Sequence, residues 1–117
     1  NCSLVPGLKG LSENIRCVGI IDRYLEHSRI LIFANGGKPR FFIGSADWMP
    51  RNLLNRIEVL TPVYDEEMQA DLMRTISYGM RDSTNGRLID GKGTDDFVNG
   101  EPFRSQEELY KELKSKY

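Results

Sequence analysis

The chain has 117 residues, with 16 Lys and Arg, 17 Asp and Glu, a single His and a net charge of −1. This length allows one compact core, so we predict a single domain over residues 1–117. The near-zero charge argues against a general attraction to nucleic acid or to an anionic membrane surface. No apolar run approaches the roughly 18 residues of a membrane span, and we expect neither a membrane span nor a signal peptide.

The charges are unevenly distributed along the chain. Residues 14–58 contain seven Lys and Arg against four acids, whereas residues 59–117 contain eight against twelve. An excess of positive charge in the first of these segments suits an anionic ligand there, although a solvated charged surface would give the same distribution.

The two cysteines, Cys2 and Cys17, are too few for a disulfide framework. Their spacing from His27 is not that of a metal site, so we predict no metal site within this chain. Reduced thiols and a reducing compartment fit this usage best. The expected location is the cytoplasm, with association to a membrane through partners left open.

In chain order, the first firm elements form a hairpin. Before it, Ile15, Cys17 and Gly19 alternate like a strand, and a helical turn is predicted over 22–26. Two β-prone runs, 29–34 and 40–46, are separated by an Asn-Gly-Gly turn signal. We predict a loop over 48–54, because of Pro50, and a third strand over 56–63.

The remainder of the chain is predicted to be mostly helical. Acids at 65–67 open a helix whose apolar residues recur at 3.6-residue spacing, and a capping-box pattern at Ser105 opens a last helix. Residues 82–100 read as loop or weak hairpin with one strand over 86–89. The predicted fold class is α/β, with a mixed β-sheet covered by helices. The residues predicted to face the core of the two helices are Met68, Leu72, Met73, Ile76, Met80, Leu109, Tyr110 and Leu113.

The most informative residues are His27 and Arg29. Positions i and i+2 of a strand share a face, so an imidazole and a guanidinium would project side by side. This pair can exchange a proton near neutral pH while holding an anion, and phosphate matches the planar guanidinium. A lone histidine in a small domain is more often a surface residue, but here the hairpin should bring Ser45 and Asp47 beside it.

These residue types suit phosphoryl transfer, which needs positive charge, proton management and carboxylates. His27 is the candidate acid, base or phosphate donor, and Ser45 could donate to a phosphate oxygen. Asp47 and Glu58, the latter on the third strand, could orient His27 or bind Mg²⁺ through water. The candidate phosphate clamps are Arg29, Arg51 and Arg56.

His-x-Arg, a hairpin, Gly-Ser-x-Asp and a strand with Glu58 resemble half of a phospholipase D-type site. The sequence is more closely similar to polyphosphate kinase, the long ATP-linked form, densely over residues 4–62 and weakly beyond. The matching runs are Leu11-Ser12-Glu13-Asn14-Ile15-Arg16, Arg23-Tyr24-Leu25-Glu26-His27-Ser28-Arg29, Asn35-Gly36-Gly37, Ser45-Ala46-Asp47-Trp48-Met49-Pro50-Arg51-Asn52 and Asn55-Arg56-Ile57-Glu58-Val59.

The resemblance implies an enzyme that reversibly moves the terminal phosphate of ATP onto inorganic polyphosphate through a phosphohistidine. It implies a site between two phospholipase D-like domains, of which this chain is the second, so that His27 is the partner histidine and not the phosphorylated one. ATP or ADP with Mg²⁺ is implied, with Mg²⁺ ligands mainly outside this chain. The implied partners are the N-terminal and first catalytic domains of a longer chain, in a homo-oligomer.

One departure and two alternatives accompany the resemblance. The family commonly has Cys-Leu-Arg-Pro-Gly where this chain has Ser3-Leu4-Val5-Pro6-Gly7, so one arginine is lost. A phospholipase D-type phosphodiesterase or nuclease half-site is the first alternative, although Arg29 replaces its Lys and Asp47 its Asn. A non-catalytic polyanion-binding module is the second. On either kinase or lipase reading, this chain alone is expected to be inactive.

Overall fold

A computed structural model describes residues 3–116, so Cys2 lies outside the described residues. The chain divides into two compact units, Leu25–Ile76 and the remainder on either side of it. The single domain cut from a longer kinase stays a prediction. In chain order the elements are β1 (Cys17–Ile20), β2 (Ile30–Phe33), β3 (Arg40–Gly44), α1 (Pro50–Leu54), β4 (Leu60–Val63), α2 (Glu66–Arg81), β5 (Gly86–Ile89) and α3 (Ser105–Lys116).

The unit from residue 25 to 76 contains a three-stranded antiparallel sheet in the order β2-β3-β4. The predicted hairpin is confirmed, with Ile30 opposite Ile43 and Phe33 opposite Arg40. Phe41, on the central strand, is buried and pairs with the buried Val63. Within β3 only Phe41 is fully buried, whereas Phe42 is half-buried and Ile43, two positions from Phe41, is exposed.

The connection between β3 and β4 differs from the prediction. The segment predicted as a loop contains the short helix α1, which Pro50 begins and does not disrupt, since the first turn of a helix needs no N–H donor there. The strand predicted over 56–63 begins only at Leu60. Glu58 therefore lies in the connecting segment before β4, and its predicted place on a strand is wrong.

The other unit pairs β1 with β5, with Cys17 opposite Ile89. The predicted strand over 86–89 is thus confirmed, whereas residues 22–24 form a bend without a helical turn. The last helix begins at Ser105 as predicted. The Ser105 hydroxyl, which a capping box would use to accept a backbone N–H of the helix, donates to Asp82 at 2.7 Å. The final turn of α2 also belongs to this unit. Of the residues predicted to face the core, Met68, Met73, Tyr110 and Leu113 are exposed.

The α/β class is confirmed, but the predicted mixed sheet is wrong. The described strands form two separate sheets, and within each sheet every pair of neighbouring strands is antiparallel. The spacing of strands along a sequence does not reveal their direction, and the short turn between β2 and β3 permits only an antiparallel pair. The phospholipase D-like relationship stays a prediction. Among residues 3–116, no helix is long and apolar enough to cross a membrane.

Candidate functional site

The predicted site residues meet at one end of the sheet in the unit from 25 to 76. The backbone N–H of Gly44 donates to the carbonyl of Arg29 at 3.0 Å, which joins the entry to β2 with the exit from β3. The N–H of Ser45 donates to the carbonyl of Val59 at 3.1 Å, which adds the entry to β4. Three segments that carry polar side chains are therefore fixed at the same sheet edge.

Arg29 links His27 to Asp47. Its Nε donates to Oδ1 of Asp47 at 3.0 Å, and its Nη1 donates to the backbone carbonyl of His27 at 2.8 Å. The same Nη1 lies 3.4 Å from Nδ1 of the His27 ring. Because a guanidinium only donates hydrogen bonds, a hydrogen bond at this contact requires the tautomer with its lone pair on Nδ1 and its proton on Nε2.

Asp47 is held in its ionised form. The hydrogen bond from Arg29 is the main cause of a lowered pKa at Asp47, partial burial opposes it, and the charges of Arg29 and Arg51 lower the pKa further. In the described residues, neither Asp47 nor Glu58 hydrogen-bonds the imidazole directly. Their predicted role of orienting His27 therefore reduces, in this geometry, to Asp47 acting through Arg29.

Glu58 forms a second cluster with Ser45 and Asn52. The Ser45 hydroxyl donates to Oε2 of Glu58, and Nδ2 of Asn52 donates to Oε1 at 2.8 Å. The bond from Ser45, which has the largest effect, and the bond from Asn52 lower the pKa of Glu58, whereas burial acts to raise it. The Ser45 oxygen also accepts the N–H of Val59 at 3.2 Å. The Ser45 hydroxyl thus donates to Glu58 here, and its predicted donation to a phosphate oxygen stays a prediction.

Arg51 and Arg56 are exposed at the edge of these clusters. The charge of Arg51 lowers the pKa of Asp47, and the charge of Arg56 lowers that of Glu58. Neither guanidinium makes a side-chain hydrogen bond within residues 3–116. The structure therefore brings the predicted residues His27, Arg29, Ser45, Asp47 and Glu58 together and adds two solvent-facing cations beside them.

Asn52 was missed by the sequence reasoning. Its side chain is only 4% exposed, and it contacts Glu58 from the short helix α1. Its position in a matched motif was visible, but a helix over 50–54 was not predicted, so no pattern indicated that Asn52 points inward. Trp48, in contrast, is 80% exposed.

The residues present do not form a magnesium cage. No group of three or more His, Cys, Asp or Glu in the described part of the chain could hold a metal ion. The oxygens of Glu58 are taken by Ser45 and Asn52, and Oδ1 of Asp47 is taken by Arg29. The Mg²⁺ expected to accompany ATP or ADP therefore stays a prediction, with its ligands expected mainly outside this chain.

Comparison with known proteins agrees with the motifs. The family model described as "Polyphosphate kinase C-terminal domain 2" matches residues 1–107, well beyond the stretch of dense resemblance that ends at residue 62. Polyphosphate kinase of Vibrio vulnificus is 46% identical over 97% of this chain, and that of Escherichia coli K12 is 42% identical over the same share. The crystal structure of polyphosphate kinase from Porphyromonas gingivalis superposes with a TM-score of 0.91 at 42% identity, over 98% of this chain.

These relatives are much longer proteins. The chain spans 17% of the length of the two curated relatives and 18% of the crystallised one. The family model nevertheless matches nearly the whole chain, and the predicted site residues, all in the unit from 25 to 76, lie within the matched range. The chain belongs to the polyphosphate kinase family, in which it corresponds to the second C-terminal domain.

Proposed function

We propose that this chain forms the nucleotide-phosphate side of a polyphosphate kinase active site. The reaction is reversible transfer of the terminal phosphate of ATP to inorganic polyphosphate, through a phosphohistidine carried by another domain of the full-length protein. Free ADP is released when the phosphate leaves ATP, and the acceptor chain grows by one phosphate when it leaves the histidine. The observation that carries this proposal is the His27–Arg29–Asp47 chain of contacts at the sheet edge.

The geometry supports a partner role for His27. A nitrogen that attacks phosphorus needs a lone pair, and in a neutral imidazole only one nitrogen has it. Because Nη1 of Arg29 donates toward Nδ1, the lone pair is favoured on Nδ1 and the proton on Nε2. In the exposed His27, Nε2–H then donates to a phosphate oxygen, which suits stabilisation of transferring charge and does not suit phosphorylation.

The neighbouring cations supply the rest of the anion site. Arg51 and Arg56 are exposed, and their charges act on Asp47 and Glu58 at the same end of the sheet. A guanidinium matches two phosphate oxygens at once, so these residues suit the substrate phosphates in the ground state as well as during transfer. Asp47 and Glu58 stay ionised and serve as acceptors that fix Arg29 and Ser45.

The test is His27→Ala in the full-length protein. We expect the rate of ATP-dependent polyphosphate synthesis to fall by about 10²–10⁴-fold while the protein remains folded, because a positioned donor to the transferring phosphate is lost. Ser28→Ala, at the adjacent exposed residue, is the matched control and should keep the wild-type rate. A wild-type rate in His27→Ala would contradict the proposed role, and hydrolysis of a phosphodiester without ATP would favour the phospholipase D-type alternative.

A further inference from the structure

We infer that Asn52 is a positioning residue of this site, which holds the Glu58 carboxylate so that Glu58 keeps the Ser45 hydroxyl and the loop after β3 in place. Its effect on the reaction rests on the proposed function, but its effect on Glu58 does not. Asn52 touches no substrate in this arrangement and acts only through its neighbours.

The contacts show how Asn52 restrains Glu58. Asn52 lies on α1, is 4% exposed and donates from Nδ2 to Oε1 of Glu58 at 2.8 Å. The other carboxylate oxygen, Oε2, is occupied by the Ser45 hydroxyl. Since both oxygens have a fixed donor, the carboxylate cannot rotate without breaking one of the two bonds.

The other end of the Asn52 amide indicates that stability alone does not explain the residue. Its Oδ1 is buried and has no hydrogen-bond partner in the described chain. A buried polar atom without a partner is rare and unfavourable, and an apolar side chain of similar size would avoid it. The one thing that the amide provides and an apolar group cannot is the Nδ2 bond to Glu58.

The restraint extends from Glu58 to the rest of the site. The Ser45 oxygen accepts the N–H of Val59 at 3.2 Å, and the N–H of Ser45 donates to the carbonyl of Val59 at 3.1 Å. These bonds tie the loop after β3 to the segment that carries Glu58. Asp47, the partner of Arg29, lies two residues further along the same loop. A displaced Glu58 would therefore loosen the loop on which the His27–Arg29–Asp47 contacts depend.

The charge of Glu58 gives the inference a signature that a purely structural role would lack. The bonds from Ser45 and Asn52 lower the pKa of Glu58. Loss of the Asn52 bond should raise that pKa toward its ordinary value, and Asn52→Asp should raise it more because a second carboxylate would face the first. Neutral Glu58 would then appear at higher pH, and the acid side of the rate profile would move with it.

The experiment uses the full-length protein with Asn52→Leu, Asn52→Asp and the control Asn55→Ala, an exposed residue at the end of the same helix. Asn52→Leu removes both the bond to Glu58 and the unpaired Oδ1 at similar volume. We expect it to keep or raise the melting temperature while kcat falls by about tenfold or more, with KM for ATP changed less. The acid limb of the kcat profile should shift upward in Asn52→Leu and further in Asn52→Asp. Asn55→Ala should leave rate and profile unchanged.

Crystal structures of the two Asn52 variants separate this inference from the proposed function. We expect Glu58 to turn away from Ser45 in both. Glu58 retained on Ser45, together with a wild-type acid limb in Asn52→Leu, would overturn the inference. Absence of ATP-dependent polyphosphate synthesis in the wild-type protein would instead overturn the proposed function, and the position of Glu58 in the variant crystals would still decide the role of Asn52.

Discussion

Arg29 is the residue on which the histidine side of the site depends. Its Nε and Nη1 reach Asp47 and the His27 carbonyl at 3.0 and 2.8 Å, and Nη1 also faces the ring nitrogen at 3.4 Å. These contacts need several donors held in one plane, which a guanidinium has and an ammonium group lacks. An Arg-to-Lys exchange at this position keeps the charge but loses the geometry.

We therefore expect Arg29→Lys in the full-length protein to lower kcat for polyphosphate synthesis by about 10–100-fold. Arg40→Lys is the control, because it makes the same Arg-to-Lys exchange at the other end of the hairpin, away from the site. The measurement is steady-state synthesis from ATP at saturating polyphosphate. Equal rates for Arg29→Lys and the wild-type protein would show that charge alone is required of Arg29.

At the scale of elements, the start of β5 depends on a turn held by Asp82. This side chain has 0% exposure and accepts the N–H groups of Thr84, Asn85 and Gly86 on Oδ1, while its Oδ2 accepts both the N–H and the hydroxyl of Ser105. Burial works to raise the pKa of Asp82, but these hydrogen bonds outweigh it and the pKa is lowered. The one carboxylate thus fixes the turn before β5 and the beginning of α3.

Gly86 is required for this turn because of space. A Cβ at Gly86 would lie 2.1 Å from the carbonyl oxygen of Asp82, whereas one at Gly79 in α2 would meet only the side chain of Ile20, at 3.4 Å. We expect Gly86→Ala to lower the free energy of unfolding by about 3 kcal/mol or more. Gly79→Ala should change it by no more than about +1 kcal/mol, since Ala favours the helix. Urea unfolding of the two variants compares them, and equal midpoints would contradict the role of Gly86.

A second element-scale contact joins the bend after β1 to the residue before α3. Arg104 donates from Nη2 to Oδ1 of Asp22 at 2.6 Å and from Nε to Oδ2 at 2.9 Å, and the Asp22 side chain is 3% exposed. The hydrogen bond from Arg104 is the main cause that lowers the pKa of Asp22 from 3.8 to about 2. The hydrogen bond to Asp22, and then the charge of Asp22, in turn raise the pKa of Arg104.

This pair predicts a defined acid dependence of stability. A carboxyl whose pKa is lower in the folded state stabilises the fold above its unfolded pKa, and that contribution disappears as the pH falls from about 4 to about 2. Asp22→Asn should lower the melting temperature at pH 7 and reduce the loss of stability between pH 4 and 2. Melting curves across this range test it, with the exposed Asp65→Asn as control. An unchanged slope in Asp22→Asn would contradict the prediction.

For the molecule as a whole, the exposure of the cations predicts how strongly the chain should bind polyphosphate and how that affinity should depend on salt. Arg51 and Arg56 are solvent-exposed, and Arg29 is a third exposed to solvent. Exposed charges are screened over a Debye length of about 8 Å at physiological salt. We therefore expect the 117-residue chain to bind short polyphosphate weakly, with affinity that falls as salt rises, and to make no polyphosphate from ATP.

Amide chemical shifts during a polyphosphate titration at low and high ionic strength test this. Shifts should concentrate at His27, Arg29, Arg51 and Arg56 and weaken at high salt. Shifts confined to residues 65–80, which cover most of α2 and its acidic first turn, would place the anion elsewhere. Phosphohistidine on the isolated chain after incubation with ATP would contradict the partner role of His27.

Several elements followed from local sequence patterns alone. The hairpin about Asn35-Gly36-Gly37, the helices that begin near 66 and 105 and the strand over 86–89 were all predicted, because turn residues, helix caps and periodicity act over a few neighbouring residues. The family was also readable from the order of its motifs. The helix α1 was not predicted because a proline occurs both at the first position of helices and in loops, and five residues are too few to distinguish the two.

The partner of each site residue was decided only by tertiary structure. Sequence spacing placed Ser45, Asp47 and Glu58 near His27. It did not show that Arg29 donates a hydrogen bond to Asp47, or that Asn52 donates one to Glu58. The separation of the strands into two antiparallel sheets was equally hidden. Residue identity determines which groups can donate or accept, whereas the choice among donors depends on distances across chain segments that only packing sets. The sequence therefore determined which polar residues the site contains. The tertiary structure, which brings three backbone segments to one end of the sheet, determined which of these residues hydrogen-bond to each other.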